Sequence, residues 1–332
     1  MTGNTVNGSG NRVRSGAQTL VLLASPLSGL ILRALSEGAR SQADLRRETG
    51  APAQTTLRSQ LKRLAAMGTI EKHRRNRFPG VLEYDLTASG RDLLFVVDAL
   101  ERWLERAPHG PLLLNSSAGS AAIATLADGW STTMLRVLAS GPLSLTELDR
   151  IIGSLSYPSL ERRLAAMRLA GQIEARSGNG RSTPYAVTDQ LREAVAPLAA
   201  AARWERRHRP HTTAPVGRLD VEAIFLLAVP LVRLPQGLSG TCWIAAEIPS
   251  GKGSRAAGIT VQVDNGEIGS YSTDPEQHPT AWALGPPAAW LSALIECDAA
   301  DLELGGDRRL ARALSDGLHR ALFGASIGDP HG

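Results

Sequence analysis

The chain is poor in the groups that do covalent chemistry. In 332 residues there are only two cysteines, Cys242 and Cys297, too few for a disulfide framework and in keeping with a reducing, cytoplasmic setting. Neither has a second thiol or a histidine at ligand spacing, so no metal and no cofactor are expected. No apolar run reaches the roughly 20 residues needed to cross a bilayer, which predicts a soluble protein without a membrane partner. Met1 to Gln18 is rich in Gly, Asn, Ser and Thr and carries no apolar core ahead of a cleavage site; a disordered tail is expected there. Gly251-Lys252-Gly253-Ser254 lacks the spacing of a phosphate-binding loop. No Ser, His and acid, and no pair of carboxylates, sit at recognisable catalytic spacing, so no enzyme is expected. His208 and His211 are close together, but in a proline-containing stretch that reads as a linker.

What is present is a duplication. Leu32, Arg33, Leu35, Gly38, Ser41, Leu45, Gly50, Leu57, Leu61, Gly68 and Ile70 recur, 103 positions later and without a gap, as Leu135, Arg136, Leu138, Gly141, Ser144, Leu148, Gly153, Leu160, Leu164, Gly171 and Ile173. Recurrence at one fixed offset is the mark of a repeated structural unit. Charge divides the chain further. Residues 1–109 carry 16 Lys and Arg against 10 Asp and Glu, residues 110–211 carry 12 against 8, and residues 212–332 carry 8 against 14. Two basic repeats are thus followed by an acidic module, and a basic balance favours a polyanionic partner.

Within the first copy, apolar spacing predicts a helix over Gly29 to Leu35, a short helix over Gln42 to Glu48 capped by Ser41, and a third from Ala53 to Met67 with Leu57, Leu61 and Leu64 facing inward. Two β-leaning runs follow, Ile70 to His73 and Val81 to Leu86, around the basic turn Arg74-Arg75-Asn76-Arg77. The second copy predicts the same series: Thr133 to Ala139, Ser144 to Ile152, Tyr157 to Ala170, then Ile173 to Ala175 and Tyr185 to Val187. Each copy closes on a long amphipathic helix, Ser89 to Arg106 and Asp189 to His208, with a late tryptophan, Trp103 or Trp204. Helix, helix, helix, hairpin is the order of a winged helix-turn-helix.

Asp128-Gly129-Trp130, Leu135-Arg136, Gly141-Pro142, Glu147-Leu148, Leu160, Arg163-Leu164, Gly171, Ile173-Glu174 and Pro184-Tyr185 with Thr188 resemble bacterial winged-helix regulators of the HxlR type, whose MarR and PadR neighbours share many of these residues. The resemblance covers Ala121 to His208 and, more loosely, Leu20 to Ala107. HxlR relatives often carry a sensing cysteine near the start of the domain; neither repeat has a cysteine. Asp128 fits a capping role ahead of Trp130. In this fold the third helix enters the major groove and the wing lies along the backbone or minor groove. The expected DNA-facing residues are therefore Gln54, Thr55, Arg58, Ser59, Lys62 and Arg63, with Arg74, Arg75 and Arg77 on the wing. Those of the second copy are Ser156, Tyr157, Ser159, Arg162 and Arg163, with Arg176 and Arg181 on its wing. Arg12 and Arg14 could add contacts. Hydroxyls and amides hold phosphates, and Arg can pair with guanine. Because Arg58 corresponds to Glu161, the two copies should read unequal half-sites. The resemblance also implies pairing through the terminal helices, with Leu93, Leu94, Val97, Leu100 and Leu104 packing on Leu191, Val195, Leu198 and Ala202. The chain would then be a monomeric pseudo-dimer, the alternative being a homodimer formed elsewhere.

Residues 210–217 have linker composition. The residues from 218 to 324 predict an α+β domain, with strands over Thr241 to Ile248, Ala257 to Asp264, Glu267 to Thr273 and Ala281 to Gly285, and helices over Pro287 to Glu296 and Arg308 to Phe323. The remainder, 325–332, is a tail. Ala257 to Val261, Asn265-Gly266-Glu267, Ala281 to Gly285, Ala289-Trp290-Leu291 and Leu304-Gly305-Gly306-Asp307 resemble the sterol carrier protein type two family. That resemblance implies a curved sheet and helices around an apolar lipid tunnel, with Phe225, Leu227, Trp243, Val261, Tyr271, Trp282, Trp290, Leu294 and Leu318 as candidate lining. Gly306-Asp307 reads as the turn and N-cap of the last helix. The expected architecture is multidomain: two tandem winged helices, 19–109 and 120–209, and a sterol-carrier-like ligand-binding domain. The expected function is a DNA-binding transcription regulator, a repressor in the family's manner, with a double-stranded operator and a hydrophobic effector as partners. A lipid carrier using its repeats as an interaction platform, and a structural DNA-associated protein, stay open on sequence alone.

Overall fold

The computed structural model describes residues 15–74, 82–128, 132–152, 155–176, 183–211, 216–250, 253–274 and 278–324. Arg12, Arg14, Arg75, Arg77, Gly129, Trp130, Arg181 and the tail 325–332 lie outside them.

The first repeat runs α1 (Ala17–Leu23), α2 (Pro26–Ser36), β1 (Arg40–Ser41), α3 (Gln42–Glu48), α4 (Gln54–Ala66), β2 (Ile70–Arg74), β3 (Leu82–Leu86) and α5 (Ala88–Glu105). The three strands pair antiparallel in the order β1-β3-β2. Ser41 Oγ accepts the Asp44 N–H and so caps α3, and Thr87 Oγ1 accepts the Gly90 N–H at the start of α5. Gly90 is required there for room. A Cβ on it would stand 1.9 Å from the Thr69 carbonyl oxygen. Leu32, Leu35, Leu45, Leu57 and Leu64 close the core, all fully buried.

The tail expected to reach Gln18 ends sooner, since α1 already begins at Ala17. Its start is held by a carboxylate far along the chain. Glu205, buried, accepts the Gly16 N–H at 2.7 Å and the Thr19 N–H and hydroxyl at 2.8 and 3.0 Å.

The second repeat runs α6 (Ser117–Asp128), α7 (Thr132–Ser140), β4 (Leu143–Ser144), α8 (Leu145–Ile151), α9 (Tyr157–Leu169), β5 (Ile173–Ala175), β6 (Pro184–Val187), α10 (Asp189–Glu193) and α11 (Val195–His208). Its strand order, β4-β6-β5, is that of the first. Ser144 and Glu147 form a reciprocal capping box at α8. The one long helix expected over Asp189 to His208 is two. Pro197 has no N–H to give the Glu193 carbonyl, and the helix breaks at Ala194.

Helices α5 and α11 pack together, as do α1 and α6. Trp103 Nε1–H donates to the Gln190 carbonyl at 2.7 Å, and Trp204 Nε1–H donates to the Ser89 carbonyl at 2.8 Å. Trp204 follows Trp103 by 101 positions, and Gln190 follows Ser89 by the same 101. The ion pairs repeat the exchange: Arg106 with Glu193 at 3.5 Å, and Arg207 with Asp92 at 3.5 Å. Each repeat gives the other what it receives, which is the contact pattern of a two-fold interface, here within one chain.

The third unit opens with α12 (Arg218–Ala228) and a 3-10 turn (Val229–Leu231). It continues with β7 (Gly240–Ser250), β8 (Gly253–Asp264), β9 (Glu267–Ser272), β10 (Ala281–Gly285), α13 (Pro287–Glu296), β11 (Glu303–Gly306) and α14 (Arg308–Phe323). The sheet order is β11-β10-β7-β8-β9, with only β10 and β7 parallel. Asn265 and Gly266, both at positive φ, make the tight β8–β9 turn. Asp307 caps α14 as expected, its Oδ1 accepting the N–H groups of Arg309 and Leu310. The unit is fastened to both repeats. Glu222 on α12, 1% exposed, takes Arg136 of α7 and Arg218 as ion partners. Arg203 of α11 pairs with Glu296 of α13, and Phe323 stacks on Phe95 of α5 with ring centroids 5.8 Å apart.

Candidate nucleic-acid interface

Helix α4 is built to present one face. Leu57, Leu61 and Leu64 turn into the core, and Gln60 between them is buried too. Gln60 is spent on structure: its Nε2 donates to Ser28 Oγ and its Oε1 accepts from Ser25 Oγ, tying α4 to the start of α2. What remains outward is Gln54, Thr55, Arg58, Ser59, Lys62 and Arg63, all exposed. Most other cations of this repeat are engaged. Arg33 is held by Asp98 and Glu101, Arg40 by Glu48 and Glu37, and Arg47 by Asp44. Burial works against the Arg33 charge, but the hydrogen bonds it donates to Glu101 and Asp98 outweigh it and raise its pKa. Among the described residues no carboxylate pairs with Arg58, Lys62 or Arg74, and Arg63 touches only the Gln60 amide oxygen, at 3.4 Å. Arg74 is exposed at the end of β2, opposite Leu82.

The N-terminus of α4 adds to this face. A side chain caps α3, α5, α8 and α10, whereas Ala53 before α4 and Ser156 before α9 provide no such cap. At α4 the first-turn N–H groups are a natural seat for phosphate oxygens; at α9 Pro158 has no N–H and the Ser156 carbonyl takes that of Ser159 at 2.9 Å.

On α9, Ser156, Tyr157 and Arg162 are exposed, and so is Glu161; Ser159 and Arg163 are half-buried. Ser156 Oγ donates to Ser159 Oγ at 2.9 Å, and Arg176 on the second hairpin is drawn to Glu174 at 3.3 Å. The two faces therefore differ in charge and in apolar content. Tyr157 and Ile151 are each about half exposed, at 46%. Sequence reasoning passed over Arg168, which extends the exposed basic face of α9 and stands where the first repeat has Ala65.

The candidate ligand residues separate into groups. Phe225, Trp290 and Leu294 line a cavity of about 100 Å³. Leu227, Val261 and Leu318 are fully buried in the packed core and do not line it. Trp243 and Trp282 are register partners on β7 and β10, and strand alternation places them on the sheet face opposite Cys242 and Ala283. Tyr271, half-buried on β9, lines a separate pocket of about 180 Å³ with Thr260 and Gln262. The 100 Å³ cavity lies at the meeting of all three units, with Leu20, Leu126 and Leu198 from the repeats completing it. No local pattern could reveal those three as neighbours, since only the packing of α1, α6 and α11 assembles them. Cys242 is buried, and desolvation with a smaller push from Asp307 raises its thiol pKa to about 12.

Comparison with known proteins gives matches to part of the chain. The model of the HxlR-like helix-turn-helix family matches residues 22–109. A solved structure described as the HTH-type transcriptional regulator ytcD is 31% identical, with 26% of this chain and 88% of that one covered and a TM-score of 0.24. Another, described as the transcriptional regulator ytfH from Salmonella typhimurium, is 32% identical over 26% of this chain and 79% of its own length, also with a TM-score of 0.24. No curated protein matches the chain. Through residues 22–109, the chain belongs to the HxlR-like helix-turn-helix family.

Proposed function

We propose that the protein is a sequence-specific DNA-binding transcription regulator, a repressor, in which two winged helices fused in one chain act as a pseudo-dimer on one operator. The observation that carries this reading is the reciprocal exchange across α5 and α11, in which Trp103 and Trp204 each cap a backbone carbonyl of the other repeat. A dimer of a single-repeat regulator needs two chains to make such a contact. Here one chain makes both halves and leaves α4 and α9 outward, each with an uncapped start. The family membership, and Arg58 and Lys62 without a carboxylate partner among the described residues, support DNA as the ligand of those helices. Glu161 in place of Arg58 supports an asymmetric operator, with half-sites about one turn, roughly 34 Å, apart.

The third unit, sterol-carrier-like in its sequence motifs, is the effector-sensing part of this reading. Its ion pairs from Glu222 to Arg136 and from Glu296 to Arg203 of the second repeat, with the stacking of Phe323 on Phe95 of the first, give it a route to both repeats. The test is selection of bound sequences from random duplex DNA, followed by affinity across a salt series. A single asymmetric motif bound about a thousandfold or more above background supports the regulator. Affinity explained wholly by salt, with no enriched motif, overturns it.

A further inference from the structure

The cavity at the junction deserves a function of its own. Its wall is made by α1 of the first repeat, α6 and α11 of the second, and α12 and α13 of the third unit, through Leu20, Leu126, Leu198, Val221, Phe225 and Trp290 among others. Carbon dominates it by construction. Trp290 meets Phe225 edge-on with ring centroids 4.8 Å apart, and its one polar atom is already committed, Nε1–H donating to the Ala245 carbonyl at 2.7 Å. One polar group on the wall is different. Ser15 Oγ is buried and has no hydrogen-bond partner among the described residues, although leaving such a group unmet costs free energy that native structures rarely carry without cause. Nearby on the wall is Asp220, which accepts the Gly217 N–H at 2.9 Å.

Size and charge define what could fit. About 100 Å³ is somewhat below the roughly 150 Å³ of an apolar cavity that takes up benzene. That volume suits one compact ring better than a sterol or a long acyl chain. A carboxylate on the wall disfavours an anion, and an orphan hydroxyl favours a ligand with one hydrogen-bonding group. We propose that this junction cavity is a binding site for a compact, neutral single-ring compound bearing a hydroxyl or amine, with its polar group on Ser15 Oγ. Because all three units contribute wall, a bound molecule stabilises their mutual arrangement. Any effect on DNA affinity then follows by linkage, with the same factor in both directions; that consequence, unlike the binding itself, rests on the regulator reading above.

The test is calorimetric titration of the full chain, without DNA, by 4-methylphenol, toluene, 4-methylbenzoate and palmitate. Saturable binding of 4-methylphenol and toluene, with 4-methylbenzoate much weaker and palmitate unable to displace either, is the expected result. Ser15→Ala should lower 4-methylphenol affinity about five- to tenfold and leave toluene within about twofold, since only the phenol uses the hydroxyl. Ala199→Phe, which fills the cavity, should abolish both. Should that variant lose its helical circular dichroism, Leu198→Ala gives the reading instead, by admitting 2-naphthol where the parent excludes it. Absence of binding by both ring compounds, equal loss of toluene in Ser15→Ala, or displacement by palmitate would overturn the proposal. Since no DNA is present, failure of the regulator reading leaves these results untouched, and that reading is tested separately by adding 4-methylphenol to the DNA complex.

Discussion

Removing a single N–H from the contact between the repeats tests the reciprocal arrangement directly. Trp103 and Trp204 are 2% and 3% exposed, and each donates to a carbonyl of the other repeat at 2.7 and 2.8 Å. Substituting Phe keeps an aromatic ring but strips the donor; the Gln190 carbonyl keeps the Ala194 N–H and the Ser89 carbonyl keeps its partner within α5, so each change removes one hydrogen bond between the repeats. Losing one such bond costs about 0.5–1.5 kcal/mol. Ser89 and Trp103 are both on α5, about 14 residues or ~21 Å apart along the axis at 1.5 Å per residue. The two bonds therefore sit at opposite ends of the helix pair, far enough apart that their effects add to within about 0.5 kcal/mol. Urea denaturation followed by far-ultraviolet circular dichroism should show Trp103→Phe and Trp204→Phe each lowering stability by a similar amount, the double variant by their sum, and midpoints independent of protein concentration. A large cost at one tryptophan with silence at the other, or a midpoint that rises with concentration, would refute the reasoning.

Four further outcomes follow from the same geometry. Arg58→Ala should weaken operator binding about tenfold or more, and if Arg58 contacts phosphate the salt slope should fall by about one; quantitative footprinting would show it, and Glu161→Ala should not weaken binding. Glu205→Gln should free the start of α1, visible as faster proteolysis near Gly16, because a neutral amide cannot accept three bonds as the carboxylate does. The Cys242 thiol, raised to about 12, should resist alkylation at pH 8 in the folded chain and react once urea exposes it. In acid, Glu147 and Asp44 are held below the ordinary carboxylate range, chiefly by Ser144 and Ser41 hydroxyl donors. Their folded pKa values are depressed, so their stabilisation is complete above the unfolded values and is lost as pH falls through the folded ones. Glu147→Gln should flatten part of the acid limb of a pH–stability curve.

Local signals explain why much of this architecture was legible in the sequence. Ser41 and Ser144 before short helices, leucines at helical spacing in α4 and α9, and Asn265-Gly266 between alternating strands each act within a few residues of themselves. Helices α13 and α14 and strand β10 fall where periodicity predicts. What stayed hidden depends on distant partners. Glu205 orders the start of α1 across most of two repeats, and Pro197 splits a helix whose apolar pattern runs on unbroken. Strand β11 has the composition of a turn, Leu304-Gly305-Gly306, because Gly305 must lie under the Trp282 ring, where a Cβ would come within 2.2 Å. The outward face of α4 could be read from its period. The standing of each cation could not: Arg33 and Arg40 look as available as Arg58 in sequence and are engaged in the fold. The cavity was out of reach for the same reason, as its walls come from three separate units.

The central claim is that one chain provides both halves of a DNA-binding dimer, and it is tested most directly by the mass of the complex. Sedimentation of the protein with its selected operator, at concentrations around the dissociation constant and well above it, counts the chains. The account predicts one chain on an asymmetric site, with hydroxyl-radical protection on both half-sites that Arg58→Ala removes from only one. Two chains on a palindrome, each protecting a half-site through α4 alone, would contradict it.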